Sequence, residues 1–197
     1  MSGDGSALKI VLLGMKNVGK TSLFNRYVYD EFGQTSMTIG AYFATKQCEV
    51  NNQSYNLAIW DTAGEEKFDS LTSFYCRGAR AAVVCYDLTN RASFDNLERW
   101  CQKITEAGSQ CSLIFAGNKL DLVEEDSSRR AVEQSQVEQF AATKDALVAE
   151  VSAKSGTNVA ELFEKVVAHY LEGNHPKEPE GKRNVKMKPA NQETSCC

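Results

Sequence analysis

Gly14-Met15-Lys16-Asn17-Val18-Gly19-Lys20-Thr21 sets two glycines, a lysine and a hydroxyl residue at the spacing GxxxxGK[ST]. Glycines let the backbone curl, so that successive N–H groups and the positive end of a following helix surround phosphate oxygens. A lysine at position 20 then neutralises the β and γ positions, and the Thr21 hydroxyl is a ligand for Mg2+. The flanking chain has the required form: an apolar run, Leu8 to Leu13, precedes the loop, and Ser22 to Tyr29 reads as a helix after it. Taken alone, the loop leaves open whether the base is adenine or guanine, and whether the protein is a kinase or a switch.

A second group, Asn118-Lys119-Leu120-Asp121, follows the apolar residues that end at Ala116. A carboxylate accepts two hydrogen bonds from the N1–H and exocyclic amine of guanine, but it would oppose lone pairs against adenine. Such a mismatch costs on the order of a few kcal/mol, so Asp121 selects guanine. The Lys119 stem is placed to cover one face of the base, and Asn118 to tie this loop to the phosphate loop. Ser152-Ala153-Lys154 closes another apolar run and offers the Ala153 N–H to guanine O6.

To bring these loops together the chain needs a parallel sheet whose strands end at one edge. Short apolar runs alternate with amphipathic stretches, the signature of a sheet covered by helices on both faces. Leu8–Leu13, Ala81–Tyr86, Ser112–Ala116 and Leu147–Val151 read as strands. Phe94, Leu97, Cys101 and Ile104 recur at helical spacing, as do Val159, Leu162, Phe163, Val166, Val167 and Tyr170. Tyr42–Val50 and Tyr55–Trp60 flank Asn51-Asn52-Gln53-Ser54, a hairpin turn that makes one edge strand antiparallel. The expected fold is a doubly wound α/β domain: a six-stranded, mostly parallel sheet with one antiparallel edge strand.

All three prolines lie after Gly173, where apolar periodicity also stops, and the first six residues lack it too. The expected organisation is a flexible N-terminus (1–6), one domain (7–172) and a flexible tail (173–197). Five basic residues in the tail (Lys177, Lys182, Arg183, Lys186, Lys188) outnumber Glu178, Glu180 and Glu193, whereas the whole chain carries a net charge of -4. That balance argues against nucleic acid as the main partner. Cys48, Cys76, Cys85, Cys101 and Cys111 show no metal-ligand spacing and read as small apolar residues of a reducing compartment. No run of some 18 apolar residues is present to span a membrane.

The order GMKNVGKT, TIG, WDTAG, NKLD and SAK resembles the Ras superfamily of small GTPases over roughly residues 7 to 172. Ile39 to Phe43, Glu66-Lys67-Phe68, Phe74 to Ala79, Tyr86 to Thr89 and the Cys-Cys terminus resemble its Rab branch. The resemblance implies that nucleotide contacts Gly14, Lys16, Asn17, Val18, Gly19, Lys20, Thr21, Ser22, Phe32, Thr38, Gly64, Asn118, Lys119, Asp121, Ser152, Ala153 and Lys154. Thr21 and Thr38 would ligate Mg2+, and Asp61 would hold it through water. Lys20, Thr38 and Gly64 would meet the γ-phosphate, contacts that are lost on hydrolysis. Phe43, Trp60 and Tyr75 match an effector-binding aromatic triad, and Cys196-Cys197 a double geranylgeranylation site, two lipid chains being what stable anchoring requires.

By the same resemblance the protein is a monomer whose partners are GTP and GDP, an exchange factor, a GTPase-activating protein, effectors, and a GDP-dissociation inhibitor and prenylation escort. It would reside on the cytoplasmic face of intracellular membranes, with a cytosolic pool.

Three positions depart from the family pattern. Lys16 stands where relatives carry a small residue, and Glu65 where they carry the glutamine that orients the attacking water. The segment between Phe32 and Thr38 is also one residue short. An ionised glutamate accepts hydrogen bonds but cannot donate, so slow intrinsic GTP hydrolysis is expected. The alternative is a scaffold that stays loaded with GTP. A small P-loop kinase is disfavoured, because no Arg-rich lid is present.

Overall fold

The computed structural model describes residues 7–64, 69–109 and 111–173. Six strands, β1 (Leu8–Leu13), β2 (Ala41–Val50), β3 (Gln53–Thr62), β4 (Ala81–Asp87), β5 (Ser112–Asn118) and β6 (Ala146–Glu150), form one sheet in the order β2-β3-β1-β4-β5-β6. Only the β2–β3 pairing is antiparallel; the other four are parallel. Helices α1 (Lys20–Tyr29), α2 (Asp69–Cys76), α3 (Arg91–Asp95), α4 (Leu97–Glu106), α5 (Leu120–Glu125), α6 (Gln134–Ala142) and α7 (Val159–Glu172) flank it.

Both sheet faces are covered, which is why the central strands read as continuous apolar runs rather than alternations. Ile10, Leu12, Ala81, Val83, Cys85 and Ile114 point into one core with Leu23, Phe24 and Tyr27 of α1 and Leu162, Phe163 and Val166 of α7. Val11, Leu13, Ala82, Val84, Tyr86 and Phe115 point into the other, with Leu97, Trp100 and Ile104 of α4 and Val137 of α6. Cys48, Cys76, Cys85 and Cys101 are buried free thiols, and Cys111 is half-buried.

Several boundaries move by a few residues from those expected, each for a local reason. Asn51 and Asn52 both adopt left-handed backbone, at φ 53° and 60°. The hairpin is therefore a two-residue turn whose twist matches its strands, and β3 begins already at Gln53. Gly19, at φ 90°, caps α1, which begins at Lys20, two residues before the expected start. β5 runs on to Asn118 because that residue still pairs with Asp87 of β4. The expected helix around Phe94–Ile104 divides at Asn96 into α3 and α4. β6 lies one residue earlier than predicted.

Candidate active site

β1 delivers the chain to the phosphate loop at Gly14, whose φ is 135° and whose side-chain position would lie 2.2 Å from the Cys85 carbonyl oxygen. Any other residue there would push β1 away from β4. Gly19 is equally confined, since an added Cβ would meet the Asn118 side-chain nitrogen at 2.3 Å. Lys20, in the first turn of α1, is only 5% exposed, and its ammonium donates to the carbonyls of Gly14 and Met15, each at 2.8 Å. Burial lowers its pKa, while the Cys85 and Asp61 side chains act in the opposite direction. The amine is thus folded over the loop crown, beside the space an anion would fill.

Three oxygen ligands from separate segments meet next to it. Thr21 Oγ1 donates to Asp61 Oδ2 at 2.7 Å and lies 2.9 Å from Thr38 Oγ1. Asp61 is placed by the parallel register of β3 on β1, opposite Leu12, and is 0% exposed. Burial raises its carboxyl pKa to about 6, opposed by the hydrogen bond from Thr21, the charge of Lys20 and the hydrogen bond from Thr38. Its second oxygen, Oδ1, is buried without a hydrogen-bond partner among the described residues. Such a group is costly to leave unsatisfied. A hard divalent cation that prefers oxygen donors and keeps part of its water shell fits this set of two hydroxyls and one carboxylate.

Gly64 packs against the loop. A Cβ on it would sit 2.6 Å from the Lys16 backbone nitrogen and 2.4 Å from Lys20 Nζ, so only glycine permits this approach. Glu65 to Phe68, which include the atypical glutamate, lie outside the described residues.

At the other end of the cleft, Asn118 fastens two loops together. Its Nδ2 donates to the carbonyls of Val18 at 2.9 Å and Gly19 at 3.4 Å, and its Oδ1 accepts from the Ala153 N–H at 3.1 Å. That N–H, expected to face guanine O6, is engaged with Asn118 here, although Ala153 still lines the cleft. Ser152 donates to Asp121 Oδ1 at 2.7 Å, with Lys154 Nζ 3.7 Å from Oδ2, so the carboxylate is held from behind. Lys119, in left-handed conformation at φ 68°, extends its ammonium to Asp87 at 2.6 Å, which lays the stem along the cleft.

The cleft between these ends measures about 570 Å³. Lys16, Asn17, Gly19, Lys20, Thr21, Ser22, Phe32, Thr38, Gly64, Asn118, Lys119, Asp121, Ala153 and Lys154 line it. Gly14, Val18 and Ser152 do not; they stand behind the wall and shape it. Thr35, Ser36, Met37, Thr62 and Leu122 line it without having been singled out by sequence. The first three sit on the segment between Phe32 and Thr38, which lacks regular structure and so leaves no periodic trace.

Outside the cleft, Phe43 and Trp60 pair across β2 and β3 with ring centroids 5.0 Å apart, and Trp60 lies 5.7 Å from Tyr75 of α2. Ile39 (76% exposed) and Phe74 (63%) also stand out as exposed apolar side chains. Cys196 and Cys197 lie outside the described residues. Among those described, no helix is long and apolar enough to cross a membrane.

The Ras family model matches residues 9–172. Similar proteins include "Ras-related protein Rab-24" of Dictyostelium discoideum, 36% identical over 196 residues that cover 96% of each chain. "Putative ras-related protein Rab-5B" of the same organism is 43% identical over 166 residues, 83% of this chain and 75% of the relative. "Ras-related protein Rab-31" of Homo sapiens is 42% identical over 161 residues, 81% of this chain and 80% of the relative.

Proposed function

The chain belongs to the Ras family as a Rab-type small GTPase, and from that premise we propose a switch of membrane traffic that hydrolyses GTP slowly unaided and waits for a partner to complete the reaction. The observation that carries the site assignment is the convergence of Lys20, Thr21 and Thr38 at one end of a single cleft, with Asp61 hydrogen-bonded behind Thr21, and of Asn118, Asp121 and Ala153 at the other.

In this reading the loop N–H groups and Lys20 bind the β- and γ-phosphates. Thr21, Thr38 and Asp61 hold Mg2+, which when bound draws charge from the phosphate oxygens. Thr38 and Gly64 stand on segments free to move once the γ-phosphate leaves, which converts chemistry into a change of surface. The surface that changes includes the aromatic group of Phe43, Trp60 and Tyr75, where large rings give much contact area at small entropy cost.

Slow hydrolysis follows from Glu65. Glutamine at this point both accepts from the attacking water and donates toward the transferring oxygens, whereas ionised glutamate only accepts and adds negative charge to an anionic centre. Losing one such donor costs about 2.7–4 kcal/mol, a factor of roughly 10²–10³. Lys16, a cation that lines the cleft, would offset part of that charge without restoring the donor. A GTPase-activating protein would bring the missing donors in trans. A prenylated Cys196-Cys197 terminus would hold the protein on the cytoplasmic face of intracellular membranes, from which an escort extracts it to a cytosolic pool.

Nucleotide released from the purified full chain tests the proposal. Guanine nucleotide present mainly as GDP is the expected result. A protein filled almost wholly with GTP after purification would instead establish the scaffold reading that Glu65 also favours, and adenine nucleotide would overturn both.

A further inference from the structure

Arg26 takes no part in the cleft lining, yet its guanidinium makes four hydrogen bonds in three directions. Nε donates to the Ala153 carbonyl at 3.0 Å, and one terminal nitrogen donates to the Lys154 carbonyl at 3.0 Å. The other donates to the Asp30 carbonyl at 3.0 Å and to Asp30 Oδ1 at 2.7 Å. The side chain is only 19% exposed, and its stem passes 3.7 Å from where a Cβ on Gly156 would be, a position that φ +85° reserves for glycine. One residue therefore joins the loop that carries Ala153 and Lys154 to the C-terminal end of α1.

The two ends of this clamp matter for different reasons. Ala153 and Lys154 line the base end of the cleft, and their loop is tied further by Asn118, by the Ser152–Asp121 pair and by Lys154 Nζ, 3.7 Å from Asp121. Asp30 caps α1 in left-handed conformation, at φ 57°, and two residues later Phe32 lines the same cleft. A charged fork that bonds two carbonyls fixes a loop in position and direction, which a flexible ammonium cannot do. The Asp30 carboxylate itself is exposed, so that ion pair alone adds little; the carbonyl bonds carry the connection.

We propose that Arg26 is a positioning residue for the guanine end: it sets how long nucleotide stays bound by holding the Ala153–Lys154 loop against the start of the segment that leads to Phe32. The inference rests on the reading that this loop meets the base. It also means that a partner displacing residues 30–32 loosens the base loop at the same time.

The test is release of fluorescently labelled GDP, and of a labelled non-hydrolysable GTP analogue, from the full chain in Mg2+. Arg26→Ala should speed both releases about tenfold or more and by the same factor, because charged hydrogen bonds holding the base loop are lost. Arg26→Lys should remain fast. Single-turnover hydrolysis of preloaded GTP should change far less than release, a division that general loss of structure would not produce. Should Arg26→Ala not fold, Arg26→Lys, which keeps the charge but not the planar fork, carries the same expectation. Release unchanged in every variant, or a rise for one nucleotide only, overturns the proposal. Asp121→Ala separates the two readings by its effect on the preference for GDP over IDP, which lacks the exocyclic amine. Loss of that preference with unchanged Arg26 release leaves the base site standing and removes only the clamp, while an unchanged preference removes both.

Discussion

Gly64 illustrates how a single atom decides the path of a segment. Its α-carbon approaches the backbone of Lys16 so closely that a methyl group would lie 2.6 Å from nitrogen, a main-chain atom that cannot swing aside. Gly64→Ala should therefore hold this segment off the phosphate loop. The expected outcome is intrinsic hydrolysis reduced by at least about tenfold, through misplacement of groups near the γ-phosphate, with GDP affinity little changed because the loop and base end remain. Parallel single-turnover and GDP-titration measurements check it; equal loss of both would point to collapse of the loop itself. Asp61 is the complementary case, a side chain whose buried Oδ1 lacks a partner among the described residues although Thr21 satisfies the other oxygen.

At the scale of elements, the sequence made the strands and the main helices legible because each has a strong local cause: apolar runs for buried strands, 3.6-residue periodicity for α4 and α7. The motifs GxxxxGKT, NKLD and SAK likewise disclosed which loops face the cleft. Less legible were features set by tertiary register or backbone handedness. β5 extends to Asn118 through pairing with β4, and the hairpin tightens to two residues because both asparagines accept positive φ. Thr35, Ser36 and Met37 left no sequence signal, since a cleft-lining segment without regular structure has no period. Arg26 was invisible for another reason: an arginine on a helix is ordinary until its carbonyl partners, more than 120 residues away, are known. The hairpin provides a test at this scale. Asn51→Ala and Asn52→Ala should each destabilise the fold by up to about 1 kcal/mol, because alanine keeps the Cβ that disfavours left-handed backbone but loses the short polar side chain that offsets it locally. Thermal unfolding would read this as a drop of about 2–4 °C per kcal/mol for a domain of this size; an unchanged midpoint would contradict the turn assignment.

For the whole molecule, two cores, one on each sheet face, bury four thiols, and the half-buried Cys111 packs against the second. Burial pushes Cys76 and Cys101 up to about 11 and Cys85 and Cys111 up to about 12, and it raises Cys48 as well. At pH 8 little thiolate is present at these positions. Iodoacetamide should leave Cys48, Cys76, Cys85 and Cys101 intact in the native, unprenylated protein and modify them once it is unfolded. Mass spectrometry showing Cys85 alkylated in the native state would contradict the core described.

The same two-sided core supports the cleft, and in the proposed function the timing of the switch depends on Glu65. Single-turnover hydrolysis of GTP, measured side by side for the native protein and Glu65→Gln, tests that dependence most directly. The substitution should accelerate hydrolysis by about 10²-fold, the return of a transition-state donor. Equal rates would contradict it.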